Sequence, residues 1–217
     1  MKIVSVNVGL PREVEWRGER VRTSIWKSPV AGRVRVRGDN IDGDRQSDLS
    51  VHGGVDKAVY GYPSEHYELW RRELGLAELP WGSFGENLTT EGLTEDRLCV
   101  GDRIRCGSAE LAVTQPRQPC FKLGLRFGRP EVVKLFRQSG RPGFYFAVTR
   151  EGEIGAGDSL ELVPASGDRI SIADATRAFY DRHADPALLR RLAGLKALSE
   201  SWREHFQEVL SQSTIGP

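Results

Sequence analysis

The segment Thr114-Gln-Pro-Arg-Gln-Pro-Cys-Phe-Lys122 holds the most distinctive candidate for chemistry in this chain of 217 residues. Pro116 and Pro119 deny it regular ladder pairing, and Arg117 and Lys122 stand close to Cys120 in sequence. Positive charge beside a thiol favours the thiolate, the form that attacks electrophiles and binds soft metals. Cys99 and Cys106 instead alternate with Val, Leu or Ile in strand-like runs, as inert core thiols do. On spacing alone, Cys120 is either a functional thiol or a loop cysteine of no consequence.

A second constellation is Asp44-Arg-Gln-Ser-Asp-Leu-Ser-Val-His-Gly-Gly-Val-Asp-Lys-Ala58. Gly53 and Gly54 let backbone amides approach an anion, Lys57 and Arg45 can neutralise phosphate charge, and His52 can donate to or accept from a ring heteroatom. The segment matches no standard phosphate loop. The alternative is a glycine turn between strands, with His52 capping a backbone group and Lys57 paired to Asp56 or Asp48. A third segment, Ser83-Phe-Gly-Glu-Asn-Leu88, sets the Glu86 carboxylate beside the Asn87 amide, and an Asx-turn with a solvated Glu explains it equally well. His52, His66, His183 and His205 lack metal-ligand spacing, and no Gly-x-Ser-x-Gly elbow occurs. Neither a structural zinc site nor serine hydrolysis has support.

The elements that must position these residues read as mostly β up to Val163. Candidate strands are 3–8, 22–26, 32–37, 58–62, 103–106, 110–114, 143–149 and 159–163, separated by Gly-Asp and Gly-Gly turns. That many strands at this spacing predict a barrel or a barrel-like sandwich. Two helices interrupt it, one from Ser64 to Leu74 ended by Gly75, the other opened by Pro130 and ended by Gly140. The fragments Val100-Gly-Asp-Arg-Ile104 and Ala156-Gly-Asp-Ser-Leu160 echo each other as turns entering strands. After Pro164 come three helix-period segments, 170–184, 186–192 and 199–212, with caps offered by Asp168 or Ser171, by Asp185 and by Ser199.

Basic and acidic residues nearly cancel, 31 against 30, so net charge favours neither nucleic acid nor an anionic membrane. The helical tail also balances its charges and lacks the basic footprint of a nucleic-acid reader, leaving packing, homodimerisation or partner docking as its role. No run approaches the ~20 apolar residues that span a bilayer, so a soluble protein with no membrane partner is expected. Met1 to Pro11 has no apolar h-region or small-residue cleavage site and reads as a first strand. Three unpaired cysteines suit a reducing cytoplasm.

Taken together, Val51-His-Gly-Gly-Val-Asp-Lys-Ala58, Gly85-Glu-Asn-Leu88, Val100-Gly-Asp102 and Thr114-Gln-Pro-Arg-Gln-Pro-Cys-Phe-Lys-Leu123 resemble in order and spacing the signatures of the MOSC domain. That domain is shared with the carboxy-terminal part of molybdenum cofactor sulfurases, and the tail is similar to that of the bacterial YiiM-type branch. The resemblance implies a mainly β fold with α: a small β-barrel with flanking helices over 1–163 and a three-helix appendage over 164–217. It further implies a molybdenum–pterin cofactor (molybdopterin) and a small-molecule substrate, an N-hydroxylated base such as 6-hydroxylaminopurine, reduced to the amine. Cys120 is the implied metal ligand and catalytic residue. His52, Gly53, Gly54, Lys57 and Arg117 are implied to hold the cofactor's phosphate and Asn87 to hydrogen-bond the pterin. The electrons would come from a donor protein, which the tail can dock. A nearby acid would protonate the departing group; Glu86 and His52 are nearest by motif, and water is an equal candidate. Other readings are a sulfur carrier holding a persulfide on Cys120, and a non-catalytic barrel binding pterin, nucleotide or RNA. Pyridoxal phosphate belongs to full-length sulfurases, and the large domain that would hold it is absent from this sequence.

Overall fold

The structure, a computed structural model, describes residues 1–47, 53–181 and 183–214, so the His52 expectation lies outside the described residues. The strands are β1 (Lys2–Val8), β2 (Arg12–Trp16), β3 (Glu19–Thr23), β4 (Ser28–Pro29), β5 (Arg33–Arg37), β6 (Asn40–Ile41), β7 (Val59–Pro63), β8 (Leu88–Glu91), β9 (Arg103–Cys106), β10 (Ala109–Pro116), β11 (Phe144–Arg150), β12 (Gly152–Gly155) and β13 (Leu160–Val163). The helices are α1 (Tyr67–Glu73), α2 (Phe121–Phe127), α3 (Val132–Gln138), α4 (Ile172–Tyr180), α5 (Pro186–Gly194) and α6 (Glu200–Thr214). None of the described helices is long and apolar enough to cross a membrane.

Eight strands form one sheet in the order β13-β9-β10-β11-β7-β8-β1-β4, antiparallel throughout except for the β7/β8 pair. The sheet does not close by a ladder into the barrel that was expected. Its two ends meet instead through one bridge, from Lys2 on β1 to Ser159 just before β13, supported by Ile3 N–H donating to Asp158 O at 2.9 Å. Part of the chain is diverted into a second sheet, β12-β5-β6, and into the separate β2-β3 hairpin. That hairpin turns at Arg17 and Gly18, with φ of 55° and 82°, the positive pair that suits a tight two-residue turn. Charged residues alternate along it with half-buried Val14, Trp16 and Val21, and β3 ends at Thr23 where a strand from Arg22 to Trp26 was expected.

Helix signals fared differently. Gly75 ends α1 at φ 62°, and Ser171 and Asp185 cap α4 and α5 through N–H groups of Asp174 and Ala187. Asp168 instead pairs with Arg191. Two expectations around Cys120 need correction. The ladder runs through Pro116, which stands opposite Phe144, because a proline at a strand end forfeits little pairing. Helix α2 then begins directly after Cys120, where the motif had suggested only a loop. Cys99 lies in a turn before β9 rather than in a strand, bridged once to Ser171.

Both faces of the sheet are buried. Along β11, Phe144 and Phe146 join a cluster with Ile3, Leu111 and Val113, whereas Tyr145 points to a second cluster built on Tyr62, Trp70, Phe84 and Phe136. Gly61 on β7 permits this, since a side-chain carbon there would lie 2.7 Å from the Phe144 ring. The tail contributes Ile172, Leu192, Trp202 and Phe206 to the first cluster. Buried Asp102 fastens it further, accepting from Cys99 N–H, Ala165 N–H and the Arg169 guanidinium.

A shared core predicts shared cooperativity. Trp202→Ala should cost about 3–5 kcal/mol, as expected for a buried aromatic, and lower the whole urea transition. Circular dichroism and tryptophan fluorescence should report one midpoint; a separate early loss of helix would contradict the shared core.

Candidate active site

Five of the sequence-predicted site residues, Gly53, Lys57, Asn87, Arg117 and Cys120, line one cavity. Gly54 lies outside it, in a shallower depression beside Ser199 and Glu200. Gly53 and Gly54 have φ of 122° and 83°, a backbone that favours glycine at both positions. The cavity encloses about 100 Å³ and adjoins a second one of about 340 Å³; Lys57, Cys120 and Tyr145 line both.

Arg117 is the central cation. It is 7% exposed and makes no ion pair with a carboxylate among the described residues. Its guanidinium carbon sits 4.8 Å from the Tyr60 ring centre and 5.4 Å from that of Phe136, and it donates a long 3.4 Å hydrogen bond to the Tyr60 hydroxyl. The Tyr60 hydroxyl in turn donates to Pro142 O at 2.8 Å, and burial pushes its pKa well above the usual phenol range. Tyr60 and Tyr145 reach the cavity from adjacent strands with ring centres 5.2 Å apart. A buried guanidinium on aromatic faces, with no carboxylate of its own, is a permanent charge available to an anion.

Beneath it lies a buried polar frame. Asp44 forms an ion pair with Lys27 and accepts from Gly9 N–H at 2.8 Å and from the Asn87 amide at 3.0 Å. Burial lowers the Lys27 pKa, and Asp44 opposes that shift. Asn87 lines the cavity, but its amide is already engaged: the oxygen accepts from Tyr60 N–H at 3.1 Å, and the nitrogen donates to Asp44 and, at 3.4 Å, to Asn7 O. Glu86 is fully enclosed rather than solvated. It accepts from Gly82 N–H, Phe84 N–H and the hydroxyls of Tyr67 and Thr89, and burial raises its pKa despite these bonds. It therefore braces the Gly85 turn, at φ 79°, and is not among the cavity-lining residues.

The donor set fits a group with a phosphate and a soft metal. Lys27, Lys57, Arg117 and Lys122 line the cavity, no carboxylate among the described residues does, and the half-buried Cys120 thiol lies among them. Lys122 reaches Ser47 Oγ at 3.3 Å, and burial lowers the pKa of Lys57, with Asp56 opposing. Among the described residues no cluster of His, Cys, Asp and Glu could hold a metal by protein ligands alone.

Residues 48–161 match the family model of the MOSC domain. The chain belongs to the MOSC family. Residues 170–212 match a YiiM-like, 3-alpha helix domain. Among relatives of this MOSC protein, YflK of Bacillus subtilis (strain 168) is 42% identical over 206 residues, 95% of this chain and 93% of that one. A protein named reductase in Gibberella moniliformis is 32% identical over 177 residues, 79% of this chain, which spans only 31% of that longer protein. The crystal structure of YiiM from Geobacillus stearothermophilus superposes with a TM-score of 0.81 at 40% identity, covering 96% of this chain and 98% of that one.

Sequence reasoning missed Lys27, Tyr60 and Tyr145, because none sits in a local motif and the cavity gathers them from distant strands and loops. Two tests follow. Lys27→Met leaves Asp44 buried without its cation and should cost about 3–5 kcal/mol in urea unfolding. Burial pushes the Cys106 thiol up to about 12 and raises Cys99 as well. At pH 8 a thiol like Cys106 is thiolate in about one part in ten thousand, so iodoacetamide should label Cys120 alone in the folded MOSC protein and all three cysteines after unfolding, as read by mass spectrometry.

Proposed function

We propose that this protein is a molybdenum-cofactor-dependent oxidoreductase that reduces N-hydroxylated compounds to amines. The observation that carries the reading is the pairing of a half-buried cysteine with a buried arginine that has no carboxylate partner among the described residues, both lining one cavity. Membership of the MOSC family and the reductase name of one relative support the same class.

Cys120 would ligate the metal, and Arg117, Lys57 and the Gly53 backbone would hold the phosphate, with Lys122 adding positive potential. When bound, the cofactor supplies the two electrons that break the substrate's N–O bond, and two protons are consumed as water leaves. Tyr60 and Tyr145 line the cavity with Cys120, and the Tyr60 ring packs against the Arg117 guanidinium. Glu86 is spent on the turn it braces, so the proton donor is His52, a cavity lysine or water. Asn87 positions Tyr60 and Asp44 rather than offering free amide hydrogens to a pterin. Turnover also needs an electron-donor protein, for which the helical tail is the proposed dock.

Metal analysis of protein purified from a host that makes the cofactor tests this. The wild type should carry stoichiometric molybdenum and reduce 6-hydroxylaminopurine with a chemical electron donor. Cys120→Ser should lose the activity and retain less metal. Turnover that survives Cys120→Ser would remove Cys120 from the mechanism, and sulfane sulfur on Cys120 without molybdenum would favour the carrier.

A further inference from the structure

The second cavity runs from Cys120 to the end of α4, where Phe179 and Tyr180 line it. Its volume of about 340 Å³ falls in the range of small-molecule sites. Phe179 is held in place by the rings of Trp202 and His205, with centres 4.5 and 4.0 Å away, and it meets the Tyr180 ring at 5.2 Å. Tyr180 itself is 41% exposed, although it is a large aromatic. Gln115 lines the same cavity and is only 2% exposed. Its amide nitrogen makes one long bond to Pro116 O at 3.4 Å, and its amide oxygen has no hydrogen-bond partner among the described residues. A buried acceptor of this kind is costly until an N–H or a water completes it. Arg137 and Lys57 also line the cavity, and among the described residues no carboxylate does.

We propose that this cavity is the substrate subsite and that Tyr180, from the C-terminal helices, sets its specificity for flat heteroaromatic amines over aliphatic ones. The inference deepens the reductase reading and rests on it for the chemistry at Cys120. A planar ring stacks on Tyr180, and an N–H on the ring or its exocyclic nitrogen donates to Gln115 Oε1. An aliphatic substrate offers no face to Tyr180, and its amine product is an ammonium ion, which Arg137 and Lys57 repel. The tail is then a wall of the site as well as a partner in the core.

Adenine, a flat base with N–H donors, is the probe, titrated calorimetrically into the purified full chain with butylamine as control. Wild type should bind adenine and not butylamine. Tyr180→Ala should raise the adenine Kd about tenfold, as loss of a base-stacking ring does, while Tyr180→Phe stays within about twofold. Gln115→Leu should weaken adenine several-fold, with thermal melts confirming that each variant folds. The proposal is overturned if wild type binds no adenine, if Tyr180→Ala binds it as wild type does, or if Tyr180→Phe loses as much as Tyr180→Ala. Because this binding needs neither metal nor turnover, it is read independently of the Cys120→Ser experiment. A chain that takes up molybdenum but is indifferent to Tyr180 keeps the reductase reading and loses this one.

Discussion

The buried charge of Asp44 constrains everything around the site. Its carboxyl side chain is 1% exposed, and a lone carboxylate at that depth would not be tolerated. Lys27 supplies the countercharge, Gly9 N–H and the Asn87 amide complete the hydrogen bonds, and the Asn87 oxygen passes the restraint to the Tyr60 backbone. Four segments distant in sequence are thereby held in one arrangement: the end of β1, the loop before β4, the loop after β6 and the turn before β8. With Asp44 spent on Lys27, no carboxylate among the described residues lines the cavity, so the positive field of Arg117, Lys57 and Lys122 faces whatever enters.

Strand alternation does the rest of the positioning. On β7 and β11 the even and odd residues divide between two apolar clusters, so Phe144 and Phe146 secure the sheet from one face while Tyr60 and Tyr145 present rings on the other. Arg117 follows the last residue of β10 and lies over the Tyr60 ring, which holds the cation at the end of an interior strand. Cys120 then sits at the start of α2, whose Leu123 and Leu125 are buried and anchor the thiol's backbone. The same logic separates the three cysteines: Cys99 and Cys106 face packed interiors that raise their pKa values, while Cys120 borders open space.

The sequence was legible wherever the signal was local. β9 was expected at 103–106 and forms there, and Ser171, Asp185 and Gly75 mark helix ends as their chemistry predicts. Cys99 and Cys106 are buried, as their apolar neighbours suggested, and Cys120 is half-buried. Long-range effects were invisible. Glu86 reads as a solvated turn residue until its four donors converge on it from Tyr67, Thr89 and two backbone amides. Lys27 looks like a strand-end lysine until Asp44 is placed beside it. The expected single barrel is instead an eight-stranded sheet beside a separate sheet of β5, β6 and β12, a choice of pairing that no local pattern records.

The tail illustrates why domain grammar and site grammar can differ. By sequence its helices begin after Pro164 as a separate paragraph, and family models also match the two portions separately. In space, Ile172 and Ala173 donate backbone hydrogen bonds to Leu98 and Glu95, and Trp202 and Phe206 complete the core that Ile3 and Leu111 begin. That packing places the end of α4 against the cavity lined by Lys57, Cys120 and Tyr145, with Tyr180 in contact with the Phe179 ring that Trp202 holds. Glu95 shows the same economy within the main sheet, accepting from Gly143 N–H while its other oxygen meets His66, and so linking α1's approach to the strand that carries Tyr145. Phe179 joins the two roles, since it packs against Trp202 and Phe206 in the core and also lines the cavity that reaches the thiol.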